Sequence, residues 1–191
     1  MTFIHYYLII INIIGFILFA INTLLYTYTA DKEIDKLLTL ASILGGSLGI
    51  VIAIFLIDRK AVKGNMMSRV FVFSVLVIQI ALCLIIKNFN WSTLLQNILS
   101  FYSRYKPLLI YLVIINVISF IAYGIDKFNA IYGRSRIRII TLLFLAFIGG
   151  SIGSISAMYL FRHKTSKDYF TVGVPLIMLM QLFVLVYLLL L

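Results

Sequence analysis

The sequence predicts an all-α integral membrane protein with six transmembrane helices, arranged as two inverted three-helix repeats joined by an interfacial amphipathic helix. Three observations lead to this prediction: a very high apolar content, six long uncharged runs and an internal repeat. Of the 191 residues 63% are hydrophobic, whereas soluble domains contain about 45–50% apolar residues. A soluble fold of this size could not bury so much apolar surface, so lipid is the expected solvent.

Six runs without Asp, Glu, Lys or Arg define the predicted spans. Each run is close to the length of about 20 residues that crossing a hydrocarbon core requires. Because backbone polar groups in lipid must be satisfied internally, each run should be helical. The first run is expected to be a retained helix, not a cleaved signal peptide, since no Lys or Arg precedes it. The runs are Tyr6–Ala30, Leu37–Ile57, Val70–Ile86, Pro107–Ile125, Ile139–Phe161 and Tyr169–Leu191.

The chain resembles itself at an offset of 104 residues. Asn12 matches Asn116, and the stretch "GGSLG" from Gly45 matches "GGSIG" from Gly149. Such self-similarity indicates a tandem duplication, with a degenerate first unit at residues 1–87 and a motif-bearing second unit at residues 107–191. Three spans per unit is an odd number, so the second unit should enter the membrane from the opposite side, as in many transporters.

The segment between the units, residues 88–106, is predicted to be an amphipathic helix on the membrane surface. Its apolar positions follow helical spacing, and Trp91 with several Tyr residues is typical of the membrane interface. In this topology eight Lys or Arg residues fall on each side. The balance gives no orientation by the positive-inside rule.

The repeated glycines predict close helix packing. Gly45 and Gly49, like Gly149 and Gly153, are four residues apart on one helix face, which lets two backbones approach closely in a membrane. We expect the second and fifth spans to cross each other there. The alternative is a flexible or pore-lining helix, with Ser151 and Ser154 facing a cavity.

Two asparagines, Asn12 and Asn116, occupy matching positions in the middle of predicted spans. A buried amide in lipid usually bonds to a neighbouring helix. The alternative is that these amides bind a substrate or an ion.

The second unit carries charged residues that the first unit has mostly lost. Asp126 and Lys127 lie at the end of the fourth span. After the fifth span comes a cationic cluster, Arg162, His163, Lys164 and Lys167. Arg binds phosphate or carboxylate in a bidentate fork, and Lys adds a point charge. Three interpretations stay open for the cluster: topology and headgroup anchoring, an anion or lipid-phosphate site, or proton coupling between Asp126 and His163.

The predicted topology places Asp126 and the cationic cluster on opposite sides of the membrane. Direct pairing between them is then excluded unless one loop re-enters the membrane.

The stretches "YGIDKFNA" from Tyr123 and "FRHKTSKDYF" from Phe161 resemble the YsdA-like family, an uncharacterised bacterial membrane family whose members are sometimes fused to a cold-shock domain. Asn116, the second glycine motif and the Arg-rich stretch around Arg136 fit the same pattern. The family often continues Trp-Arg-Ile-Pro-Glu where this chain has Ser-Arg-Ile-Arg-Ile, so an acidic residue near the fifth span is missing. The resemblance implies a fold, a set of site residues and the bacterial cytoplasmic membrane, but no function.

The sequence shows no catalytic constellation, no metal-ligand spacing and no phosphate-binding glycine loop. We therefore expect no enzyme, no cofactor and no metal. The net charge of +10 suits anionic membrane lipids as partners rather than nucleic acid, because no loop is long enough for a recognition module. A homo-oligomer stays open. The sequence favours a small transporter or channel for an anionic or lipid-phosphate solute; the alternative is a non-transporting scaffold or accessory subunit.

Overall fold

The computed structural model describes residues 3–28, 34–58, 66–90, 97, 100–101 and 103–191, and the regular structure in these ranges is helical. Wide helical turns at Ser42–Gly46 and Ala146–Gly150 interrupt the second and the fifth of the apolar runs. Most of the predicted linker helix, including Trp91, lies outside the described residues. The helices are α1 (Phe3–Tyr28), α2 (Ile34–Ala41), α3 (Ser47–Ile57), α4 (Met66–Asn88), α5 (Lys106–Ile131), α6 (Ile139–Leu145), α7 (Ser151–Leu160), α8 (Asp168–Thr171) and α9 (Gly173–Leu190).

Six helical segments of the described chain are long and apolar enough to span a membrane, and they coincide with the six predicted runs. At this level the prediction of an all-helical chain with six spanning-length segments is confirmed. The segments are His5–Leu25, Lys36–Ile57, Met67–Lys87, Lys106–Ile131, Ile139–Leu160 and Asp168–Leu190.

Contacts divide the chain into two compact units, residues 1–79 and 80–191. The division falls inside α4, N-terminal to the predicted linker.

In the second unit, α6 and α7 form a hairpin. Residues that are 37 positions apart pair along α5 and α7, so α7 runs parallel to α5. Both ends of the hairpin lie at the same level of α5, because the Ile137 amide at the entry and His163 at the exit both contact Asp126. The expectation that this apolar run crosses the membrane in one direction is therefore wrong. The pairs are Tyr111 with Ile148, Asn116 with Gly153, and Asp126 with His163.

Helix α9 runs back beside the hairpin. Gln181, in the middle of α9, contacts the turn Ala146–Gly150 between α6 and α7, which we call the hairpin tip. The Tyr105 hydroxyl, just before α5, donates to the Leu188 carbonyl near the end of α9, over 3.2 Å. The unit thus ends at the side where it began. The odd number of crossings, on which the inverted arrangement depended, does not hold for this unit, since α5 and α9 traverse it and the hairpin turns back.

The first unit has the same internal plan. The Tyr7 hydroxyl donates to the Leu44 carbonyl, and the Gly49 amide donates to Asn12, again 37 positions apart in each case. Helices α2 and α3 therefore form a hairpin beside α1, and Gln79 of α4 contacts its tip. The apolar core of this unit is formed by Phe19, Leu38, Ile50, Val51, Ala53, Ile54 and Val72.

Candidate functional site

Each hairpin turns at a glycine. Gly45 has φ 110° and Gly149 has φ 131°, a backbone conformation that side-chain-bearing residues rarely adopt. Glycine in this conformation ends a helix and lets the chain leave its axis. A helix end leaves carbonyl groups without partners, and each unsatisfied group in an apolar environment costs about 1–3 kcal/mol. A break of this kind can persist in lipid only where neighbouring residues satisfy it.

Asn116 satisfies the break from the α5 side. Its Nδ2 donates to the Gly149 carbonyl over 2.9 Å, and its Oδ1 accepts from the Gly153 amide over 2.7 Å. A Cβ atom at Gly153 would lie 2.0 Å from the Asn116 carbonyl oxygen. The glycine face is thus occupied by the first helix of its own unit. This corrects the expectation that the faces of the second and fifth spans pack on each other.

Gln181 satisfies the break from the α9 side. Its Nε2 donates to the carbonyls of Ala146, over 2.7 Å, and of Phe147, over 3.1 Å. Its Oε1 accepts from the Ser151 hydroxyl. Since Asn116 and Gln181 lie near the middle of their helices, the tip is held level with the middle of the helices on either side.

The first unit repeats these contacts with Asn12, Gly45, Gly49 and Gln79. Asn12 donates to the Gly45 carbonyl over 3.0 Å and accepts from the Gly49 amide over 2.7 Å. Gln79 donates to the carbonyls of residues 42 and 43 and accepts from the hydroxyl of residue 47. The two glutamines were missed by the sequence analysis because they are 102 positions apart rather than 104. A two-residue gap in the repeat would have aligned them.

Asp126 is a fully buried carboxylate that ties the two ends of the second hairpin to α5. Its Oδ2 lies 2.8 Å from His163 Nε2 and 3.0 Å from Lys164 Nζ. Its Oδ1 accepts from the Ile137 amide over 2.8 Å. Burying an unpaired carboxylate would cost roughly several kcal/mol, and the contacts with His163, Lys164 and the Ile137 amide offset that cost.

The loop after α7 is bent so that it reaches Asp126. Arg162 and Lys164 have φ 44° and 62°, in the left-handed region, which costs roughly 1–2 kcal/mol per residue. Lys164 Nζ also lies 5.1 Å from the centre of the Phe170 ring, within the range of a cation–π contact. Backbone strain of this kind clusters at functional sites, which makes the loop a candidate site.

The structure separates the predicted cationic cluster into two pairs. His163 and Lys164 are half-buried against Asp126, whereas Arg162 and Lys167 are exposed. The prediction that Asp126 and the cluster lie on opposite sides is therefore wrong, because the hairpin re-enters and brings them together. Lys127 is half-buried at the position after Asp126.

Buried polar groups extend from Asp126 to the hairpin tip. The Ser119 and Ser154 hydroxyls are 2.6 Å apart, and Ser154 donates to the Gly150 carbonyl over 2.9 Å. The buried Tyr123 hydroxyl lies beside Ser154 without forming an aligned hydrogen bond. We name Ser119, Tyr123, Asp126 and Ser154 the polar column.

The first unit has a largely apolar version of the polar column. Gly15 and Ile50 take the places of Ser119 and Ser154, and Phe19 takes the place of Tyr123. A Cβ at Gly15 would lie 3.1 Å from the Ile50 side chain, so this position is tightly packed. The polar column is therefore a property of the second unit.

Basic residues gather at the loop end of the second hairpin. Arg134, Arg136 and Arg138 are exposed in the loop before α6, residues 132–138, which we call the entry loop. The loop after α7, residues 161–167, which we call the exit loop, lies near it and contains the exposed Arg162 and Lys167. With Lys127 and Lys164, seven Lys or Arg residues lie at this end of the unit, against Arg104 and Lys106 at the start of α5. The predicted charge balance between the two sides is therefore wrong for this unit. In the described ranges, no group of three or more His, Cys, Asp or Glu could hold a metal ion.

Residues 116–170 match a family described as "Protein of unknown function (DUF1294)". The match begins at Asn116 and ends at Phe170, so it contains the second hairpin, Asp126 and both loops. Over 71 residues the chain is 39% identical to "Uncharacterized protein YsdA" of Bacillus subtilis (strain 168), which covers 37% of this chain and 80% of that protein. No solved structure matches the chain. The resemblance of the second unit is thereby confirmed, and the chain belongs to the YsdA-like, DUF1294 family.

Proposed function

We propose that the chain is a small membrane transporter or channel for an anionic or lipid-phosphate solute. One observation carries the proposal: each unit contains an apolar helix interrupted by glycine at the same position, with the tip level with the middle of its neighbours. In secondary transporters, interrupted helices at corresponding positions of two halves mark the substrate site near the bilayer midplane. The shared contacts also favour origin by tandem duplication.

An anion is the solute class that the charges favour. Asp126 is engaged with His163 and Lys164, so it does not neutralise the exposed basic residues around it. Arg162 and Lys167 remain exposed, together with the arginines of the entry loop. Guanidinium groups bind phosphate bidentately. A lipid headgroup and a soluble phosphate ester offer this same chemistry.

The polar column supports a route from this cationic end towards the hairpin tip. Ionisable and polar side chains inside a membrane segment are costly and are functional candidates by default. Because the first unit has apolar residues at most of these positions, we assign the solute pathway to the second unit.

The charge distribution also suggests an orientation. Loops rich in Lys and Arg face the cytoplasm, so the loop end of the second hairpin is assigned to the cytoplasmic side. The relative from a Bacillus species is consistent with the cytoplasmic membrane of a bacterium.

A non-transporting scaffold or accessory subunit is the second candidate. It is favoured by the observation that the Asn116 and Gln181 side chains form hydrogen bonds with the backbone of the hairpin. Such contacts stabilise the fold whether or not a solute passes. Neither candidate is an enzyme.

Flux measurements on the full chain in phosphatidylcholine vesicles distinguish the two candidates. One assay follows uptake of radiolabelled inorganic phosphate, and a parallel assay follows transfer of fluorescent phosphatidylglycerol between leaflets. The test variant combines Arg162→Ala with Lys167→Ala. The control combines Lys36→Ala with Lys87→Ala, which removes the same charge from two exposed positions elsewhere.

We expect flux above that of protein-free vesicles in at least one assay. The flux of the test variant should be about tenfold lower than that of wild type, a factor that corresponds to about 1.4 kcal/mol, while the flux of the control variant stays near wild type. Equal flux in test and control variants would exclude the cationic loops as the solute site. Absence of flux from correctly inserted protein in both assays would contradict the transporter and leave the accessory role.

A further inference from the structure

The second unit contains a groove of about 600 Å³ on the far side of the hairpin tip. It lies between the N-terminal half of α5, from Leu108 to Asn116, and the C-terminal half of α9, up to Leu188. The hairpin turns back at Gly149 and leaves this half of the unit unfilled. The groove is thus a direct consequence of the re-entrant fold.

The groove suits hydrocarbon. Its lining is almost entirely apolar, and its polar residues are Tyr111 and three residues at the tip, Asn116, Ser151 and Gln181. Their polar groups are engaged in hydrogen bonds with the hairpin or with each other. A polar solute would find few unused partners there. A lipid chain, by contrast, gains the dispersion contacts that a void would forfeit.

Positive charge lies at the end of the unit where the groove reaches Leu108 and Leu188. At this end the Tyr105 hydroxyl donates to the Leu188 carbonyl and so links the start of α5 to the end of α9. The Arg104 guanidinium lies 5.6 Å from the Tyr105 ring centre, and Lys106 begins α5 beside it. Both cations are exposed. An apolar groove that ends at exposed cations is complementary to an acyl chain attached to an anionic headgroup.

We propose that this groove holds one acyl chain of an anionic phospholipid, with its phosphate near Arg104 and Lys106. The lipid takes the place of the helix segment that the re-entrant hairpin does not provide. This structural lipid lies at the opposite end of the unit from the solute site proposed above, and it does not depend on transport.

Native mass spectrometry tests the proposal. The full chain is purified from nanodiscs of equal phosphatidylglycerol and phosphatidylcholine, and retained lipid is counted per chain. Leu185→Trp and Ile152→Trp fill the groove from two different walls, because both residues line it. Val186→Trp is the matched control, next to Leu185 but outside the lining. Circular dichroism and gel filtration establish that each variant is folded.

We expect one retained phosphatidylglycerol on wild type and on Val186→Trp, and its loss from both groove-filling variants. Arg104→Ala should keep a lipid but lose the preference for phosphatidylglycerol, whereas Arg134→Ala, at the other end, should keep that preference. Wild type without retained lipid, or equal retention in groove and control variants, would overturn the proposal. A dimer that dissociates when the groove is filled would also overturn it, by showing a second copy as the occupant.

Discussion

Gly153→Ala tests the packing of α7 on α5 most directly. The added Cβ would lie 2.0 Å from the Asn116 carbonyl oxygen, whereas ordinary contact begins at 3.4 Å. Both contacting groups are backbone, so no side chain can rotate away. The helices would have to separate by about 1.4 Å, the difference between these distances. The bond from the Gly153 amide to Asn116, now 2.7 Å, would then exceed hydrogen-bonding distance.

Two terms set the magnitude. Overpacking costs about 1–3 kcal/mol, and a lost hydrogen bond of a buried group costs about 1–3 kcal/mol. Alanine also gains about 1 kcal/mol of helix propensity over glycine. Gly124→Ala has the same gain, but its Cβ meets only the Phe161 ring, at 3.3 Å, which can move. The gain in helix propensity therefore cancels between the two variants, and we expect their free energies of unfolding to differ by about 2–6 kcal/mol, the sum of the overpacking and hydrogen-bond terms.

The assay is equilibrium unfolding of the purified chain in mixed micelles of dodecyl maltoside and SDS, followed by circular dichroism. Gly49→Ala should behave like Gly153→Ala, because its Cβ would lie 2.0 Å from the Asn12 carbonyl oxygen. If Gly153→Ala and Gly124→Ala unfold within about 0.5 kcal/mol of each other, the scatter of unremarkable substitutions, the close approach described here is refuted.

Three further predictions concern the second hairpin. In a Cys83→Ser background, single cysteines at Ser135 and Ser166 should react with an impermeant maleimide from the same side of the membrane, and a cysteine at Ser103 should react from the opposite side. If the fifth apolar run crossed the membrane in one direction, the cysteines at Ser135 and Ser166 would react from opposite sides. Asp126→Asn keeps an acceptor for the entry-loop amide but leaves the half-buried Lys164 ammonium without its counter-charge, which costs about 3–5 kcal/mol, so limited trypsin digestion should cut the exit loop faster; unchanged cleavage would contradict the role of Asp126 in holding that loop. Gln181→Leu removes three hydrogen bonds to the tip and should lower the free energy of unfolding by about 1–3 kcal/mol; wild-type stability would show that Gln181 does not stabilise the tip.

The membrane character of the chain was predictable because it depends on composition summed over long runs, which no single contact can override. The hairpins were not, because glycine in an apolar run has two physical uses. Gly153 serves close packing, while Gly149, four residues earlier, breaks the helix with a positive φ. The difference is decided by partners distant in sequence, Asn116 and Gln181, which satisfy the broken end. A local pattern of glycines contains no information about those partners.

The members of the candidate site were largely predictable, but their arrangement was not. Asp126 and the residues from Arg162 to Lys164 were singled out from the sequence, yet one error in counting crossings placed them on opposite sides. The same error produced the apparent charge balance, since each misplaced loop shifts several basic residues at once. Ser119 and Tyr123 were missed because single hydroxyl-bearing residues are unremarkable in a membrane helix until their neighbours are known.

The two units together separate what the hairpin needs from what the second unit adds. Both units keep an asparagine, two glycines and a glutamine at the tip, so these contacts belong to the re-entrant fold itself. The first unit keeps its hairpin with Gly15, Phe19 and Ile50 packed where the second has its polar column. A buried hydroxyl or carboxylate is costly unless it is paired, and the first unit forms its hairpin without a hydroxyl or a carboxylate at the positions of the polar column. Stability of the hairpin therefore does not explain the polar column, which makes it, with Asp126 at its cationic end, the part of the second unit where function is best sought.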